Sequence, residues 1–197
     1  MRKSWLFSTK TFILAGALAS LSACGGGDSD DSTSSAPPVI GQNGAVKVAS
    51  LELADEQTCG ISNFAGAMLS AVNGARAQAR NCGGAAYGAA PALGWNELLG
   101  KASIEQATSM ATANKLSDTG NVVDRASSTG YEFQAVGENI AQGYASVPKL
   151  MEAMLASEEH CKKIMSPAVT EMAAACVKAA SGKNYWAQTF AKHASFK

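Results

Sequence analysis

A chain of 197 residues, 47% hydrophobic and only 16% charged, has room for one globular domain plus extensions and is too apolar to be disordered throughout. Lys+Arg and Asp+Glu balance at 16 each, so the basic surplus of a nucleic-acid binder is absent. The balance is uneven along the chain, because the first residues are basic and the rest are not.

Met1-Arg2-Lys3 and Lys10 make a basic start, and Thr11 to Leu21 is an apolar run too short to span a bilayer comfortably. Small residues then lead into Cys24, which is the order of a secretory signal. Leu21-Ser22-Ala23-Cys24 resembles the lipobox of bacterial lipoproteins, and the resemblance implies removal of residues 1–23 and lipidation of Cys24. Removal takes away Arg2, Lys3 and Lys10 and no acid, leaving 13 basic against 16 acidic residues, a net charge of −3. Such a chain reaches a membrane through its lipid and not through a polybasic surface. Gly25 stands where an Asp would mark inner-membrane retention, so the outer membrane is the expected location.

Residues 24–60 read as the lipidated Cys, a tether and a lead-in. Gly25 to about Gly44 is rich in Gly, Ser, Asp and Pro and cannot bury enough surface to offset chain entropy. A short strand is expected at Val46 to Leu53. The domain proper spans 61–197. Phe64, Met68, Ala71, Val72 and Ala75 recur at helical spacing after a cap at Ser62 or Asn63, with Arg76, Gln78 and Arg80 towards the outside. Asn96 caps a second helix from Glu97 to about Lys115, with Leu98, Leu99, Ala102, Gln106, Met110 and Ala113 buried. Asn121 to Gly130 reads as irregular. Ser146 caps a third helix with Pro148 in its first turn and a stripe of Val147, Leu150, Met151, Met154 and Leu155.

After Pro167 the pattern alternates. Thr170 to Ala179 and Asn184 to Phe190 flank a turn at Ala180-Ser181-Gly182-Lys183 and predict an antiparallel hairpin. Trp186 and Phe190 share one face of the last strand and read as core, while Tyr185 and Gln188 lie on opposite faces. Helices first and a hairpin last give an α+β fold, a small antiparallel sheet covered by helices.

With Cys24 lipidated, Cys59, Cys82, Cys161 and Cys176 remain in an exported domain, enough for two disulfides. There is no Cys-x-x-Cys pair to suggest a thiolate metal site. Of the three possible connectivities, the most local joins Cys59 to Cys82 and Cys161 to Cys176. Each would close a moderate loop worth roughly 3 kcal/mol in the chain-entropy model.

Five segments occur in order: Leu93-x-Trp95-Asn96, Leu116 to Gly120, Gly137-Glu138-Asn139-Ile140-Ala141, His160-Cys161-x-x-Ile164-Met165-x-Pro167-x-x-Thr170-Glu171, and Tyr185-Trp186-x-Gln188-x-Phe190. Together, over about Ile61 to Ala191, they resemble the bacterial branch of the CAP superfamily, also called the SCP domain. The resemblance implies an α-β-α sandwich with a cleft lined by two histidines and one or two glutamates, which in some members holds a divalent metal. Here Asp118 stands at the first family histidine. Glu138 and His160 match the family Glu and second His, and the second Glu of eukaryotic members would fall near Ser157.

Asp118, Glu138 and His160 are therefore the cleft and metal candidates, an O,O,N set compatible with a divalent ion but without two imidazoles. No cofactor is required by this reading. His160 is a ligand or acid/base, or a residue that hydrogen-bonds its neighbours to fix a loop around Cys161. Glu138 sits where a strand begins, and Asn139 fixes the turn by bonding backbone groups. Asp118 facing Glu138 repels it unless a proton, His160 or a cation lies between. Glu171 is expected to orient the His160 loop. Two functions follow: a non-catalytic module that binds a lipid, a small apolar molecule or another envelope protein, or a metal-assisted hydrolase or peptidase using Glu138 and His160. The nucleophiles a hydrolase could use are poor, since no Gly-x-Ser-x-Gly elbow is present and Cys161 is expected to be oxidised.

Overall fold

The structure, a computed structural model, describes residues 45–46, 48, 51, 53–118 and 120–195. The expected signal sequence at 1–23, the expected lipid site at Cys24 and the expected tether up to Gly44 lie outside the described residues. After a two-residue strand β1 (Ala45–Val46) and a single turn α1 (Asp55–Thr58), the chain forms α2 (Phe64–Arg76), a small hairpin of β2 (Arg80–Cys82) and β3 (Ala85–Tyr87), β4 (Gly94–Asn96) and α3 (Glu97–Ala113). Next come α4 (Val122–Ser128), β5 (Phe133–Gln142), α5 (Val147–Ala156), α6 (Glu158–Met165), β6 (Glu171–Lys178) and β7 (Asn184–His193).

Five strands make one sheet in the order β1-β4-β6-β7-β5. The β6–β7 hairpin forms as the alternation predicts, with Cys176 opposite Trp186 and Met172 opposite Phe190. The sheet is mixed, because β4 runs parallel to β6. Both faces are covered, so the hairpin strands are buried on both sides, the polar Gln188 and Thr189 included. On one face Trp186 and Phe190 join Phe64, Met68 and Val72 of α2 and Leu150 and Met154 of α5 in the main core. On the other, Ala107 of α3 meets Ala175 and Ala187, and Met110 meets Tyr185. Small residues on the α3 side let that helix lie close to the strands; this is the α-β-α sandwich.

The helix caps follow the sequence with differences of detail. Asn96 Oδ1 accepts from the N–H groups of Leu98 (2.9 Å) and Leu99 (3.4 Å), as an N-cap should. Asn63 and Ser146 occupy cap positions but make no side-chain cap bond. Helix α3 stops at Ala113, which is exposed, as Asn114 turns left-handed. Residues 122–128, read as irregular, form α4, with Asn121 Oδ1 accepting from Val123 N at 2.9 Å. Seven residues are too few for periodicity to register. The Gly137–Gly143 stretch lies within a ten-residue strand and not at its beginning, and Gly143, at φ +87°, turns the chain out of it.

Two expectations are overturned. The disulfides are Cys59–Cys176 and Cys82–Cys161, separated by 117 and 79 residues, in place of the local pairs. The reason is topological. Cys59 N donates to Cys176 O at 3.0 Å, so α1 is already seated at the far end of β6, and Cys82 of the small hairpin meets α6. Local spacing could not see either encounter.

Arg76, placed towards the outside, is fully buried. Its Nε donates to Pro91 O (2.8 Å) and its Nη1 to Ile164 O (2.7 Å) and Ser166 O (2.8 Å). The guanidinium thus ties the end of α2 to the loop before β4 and to the carbonyls at the end of α6. Burial lowers its pKa below the usual value, yet an arginine remains charged.

Candidate functional site

Helix α4 carries the residue that organises the site. Arg125 Nη2 donates to Glu138 Oε2 at 2.7 Å and lies 3.8 Å from Asp118 Oδ1. Arg125 and Glu138 are each 5% exposed and Asp118 is 75% exposed, so the first contact is buried and the second is a loose rim contact. The cation that the facing carboxylates require is therefore a guanidinium from the same chain. Glu138 sits opposite Thr189 across the β5–β7 ladder, and Thr189 Oγ1 pairs with Ser103 Oγ of α3 at 2.8 Å. That register turns Glu138 to the α3 side of the sheet, where α4 meets it. Its second oxygen, Oε1, is buried with no hydrogen-bond partner. Burial pushes the Glu138 carboxyl up to about 7; the charge of Arg125 opposes the rise, Asp118 adds to it, and the Arg125 hydrogen bond and Lys163 lower it.

Asn139, one residue on, points to the other face. It sits opposite Gln188, and its Nδ2 donates to His160 O (3.2 Å) and Gln188 Oε1 (3.4 Å). It thus ties β5 to α6 and does not fix a turn. His160 lies within α6 and not in a loop; the strand is reached through its backbone carbonyl. Burial lowers the pKa of its ring, Lys163 lowers it further, and Glu159 opposes. The structure therefore brings Asp118 and Glu138 together around Arg125 and carries His160 on α6. What Glu138 and His160 share is Lys163, whose charge acts on both.

These donors do not fit a divalent ion. One Glu138 oxygen is bonded to a guanidinium, which also stands beside Asp118, and a second cation would meet repulsion there. Among the described residues no three His, Cys, Asp or Glu side chains gather as a metal site. Cys161 is held in a disulfide with Cys82 and carries no free thiol.

Glu171 is 4% exposed and does not orient His160. It accepts hydrogen bonds from Asn96 Nδ2 at 3.0 Å and from the Tyr131 hydroxyl, pinning the start of β6 to the cap of α3 and to the segment between α4 and β5. Burial, then the bond to Glu171, raises the Tyr131 pKa above the phenol range, so the hydroxyl stays a donor. Arg125, Tyr131 and Lys163 are the residues that sequence reasoning missed. For Arg125 a signal existed: Asn121 before Val122-Val123 is a helix start, and two facing carboxylates called for a cation.

A model of the CAP, or cysteine-rich secretory protein, family matches residues 69–190. Among curated proteins none matches the chain significantly. Solved structures similar to it include an outer surface protein of Borrelia burgdorferi (16% identity, 53% of this chain and 80% of that one, TM-score 0.49). An extracellular SCP-domain protein of Bacillus anthracis is 23% identical over 52% of this chain and 34% of that one, at TM-score 0.46. The venom allergen-like protein 4 of Schistosoma mansoni is 18% identical over 73% and 92%, at TM-score 0.45.

Proposed function

Because the chain belongs to the CAP family of cysteine-rich secretory proteins, we propose that it is a non-catalytic binding module, exported and held on the bacterial envelope, at the outer membrane, by a lipid on Cys24. The observation that carries the non-catalytic part is the Arg125–Glu138 contact. A general base must reach a substrate proton, and this carboxylate is buried, with one oxygen bonded to its own arginine. Two disulfides fit an oxidising compartment. Among the described residues no helix is long and apolar enough to cross a membrane, so the lipid is the anchor this reading uses.

A small apolar molecule or lipid is the ligand class proposed. Its support is a half-open groove of about 340 Å³ beside α1 and α2, lined by Leu51, Leu53, Ile61 and Phe64 with Asp55 and Asn63 at its polar positions. That volume is at the small end of ligand sites. The test is organic extraction of the purified full-length chain followed by mass spectrometry of the extract, repeated for Ile61→Asp, Glu138→Ala and His160→Ala. A bound lipid lost only in Ile61→Asp supports the groove. Loss in Glu138→Ala or His160→Ala moves the ligand to the cleft, and an empty extract together with no uptake of a fluorescent fatty acid removes the apolar-ligand reading. Intact mass of the membrane-extracted protein checks the anchor: Cys24 should be the first residue and carry acyl chains.

A further inference from the structure

The buried carboxylate of the cleft already has cations from its own chain. Arg125 bonds Glu138 at 2.7 Å with both side chains 5% exposed, and stands 3.8 Å from Asp118, the other carboxylate. Lys163, on α6, adds a second positive charge that acts on Glu138. Arginine suits this position better than a metal ion would, for a local reason. A divalent ion needs several oxygens or nitrogens converging at about 2.0–2.6 Å, and the side chains that meet around Arg125 are two carboxylates, one of them exposed at the rim. A guanidinium bonds a single buried carboxylate oxygen without needing a converging set of ligands, and it cannot lose its proton. The arginine is delivered by a helix of only seven residues, started by Asn121.

We infer that Arg125 takes the place of a divalent ion at this cleft, so that Asp118, Arg125 and Glu138 form a metal-independent charge cluster closed by the chain itself. This goes beyond the binding function proposed above and does not depend on which ligand the module carries.

The experiment uses the full-length chain purified in detergent and stripped with chelator. Zinc, calcium and magnesium chlorides are titrated separately, with calorimetric heats and melting temperature as readouts. Wild type and Glu138→Gln are expected to respond identically to all three ions. Saturable binding by wild type that Glu138→Gln abolishes overturns the inference. Arg125→Met, which keeps the apolar stem and removes the charge, is expected to melt below wild type, and Arg125→Met/Glu138→Gln above Arg125→Met, at the same temperatures in chelator and in each of the three ions. A folded Arg125→Met chain that melts with wild type, or whose loss one of the ions reverses, also overturns it. If Arg125→Met does not fold, the comparison of wild type with Glu138→Gln decides alone.

Discussion

Arg125 Nη2 and Glu138 Oε2 lie 2.7 Å apart with both side chains 5% exposed, which makes theirs the buried ion pair of the cleft. Removing one partner of such a pair costs about 3–5 kcal/mol, because the other is left as an unpaired buried charge. Arg125→Met should lose about that much in urea unfolding at pH 8, where Glu138 is ionised. Adding Glu138→Gln should restore most of it. A loss under about 1 kcal/mol would be that of an exposed pair and would contradict the burial.

The same residue sets a pH dependence. Glu138 takes up its proton at about 7 in the fold against an ordinary 4.5, burial being the main cause. Between those values the folded chain holds a proton that the unfolded chain has lost. The stability from this group is therefore full below about pH 4.5 and is lost as pH rises through about 7. Urea midpoints from pH 5 to 8 should fall in wild type relative to Glu138→Gln. His160 acts in the opposite sense: its pKa is lowered by burial first, then by Lys163, so its contribution is present above 6.5 and lost as pH falls through the lowered value. His160→Gln separates the two slopes.

Arg76 is a structural arginine. Its three bonds go to the carbonyls of Pro91, Ile164 and Ser166, with no carboxylate among them. Arg76→Met should cost about 3–5 kcal/mol, since hydrogen bonds from a charged donor are worth about 1.5–3 kcal/mol each and buried carbonyls are left without donors. Arg80→Met, on a less buried arginine bonded to Ala75 O, should cost no more than about 1–2 kcal/mol. Equal costs would show that Arg76 does not lock α2 to α6.

The nested disulfides close long loops. With separations of 117 and 79 residues, each is worth about 4–5 kcal/mol in the chain-entropy model, more than the local pairs would be. Non-reducing peptide mapping should recover Cys59–Cys176 and Cys82–Cys161. Replacing both members of either pair by Ala should lower stability by a similar amount, while a map with Cys59–Cys82 would contradict the register of α1 on β6.

The fold was legible wherever a segment carried its own signal. The stripe from Phe64 to Ala75, Asn96 before Glu97, and the alternation around Trp186 each specify an element through interactions between near neighbours, and the elements formed there. Helix α4 was not legible, because its seven residues are too few to carry a stripe and their stability comes from docking. Arg76 looked solvent-facing for a similar reason: charge is a local property, whereas its burial is decided by carbonyls up to 90 residues away.

At the cleft, the sequence alone determined that Glu138 and Asp118 would need something positive between them, because the family motif aligns them and like charges repel. It determined the α+β class and an even set of four cysteines in the domain. Tertiary structure alone decided that the positive group is Arg125, that Asn139 works on the opposite face from Glu138, and which cysteines meet. All three depend on strand register and on helices docking across the sheet. One residue of register moves a side chain from one face to the other, and no local pattern in this chain encodes that choice.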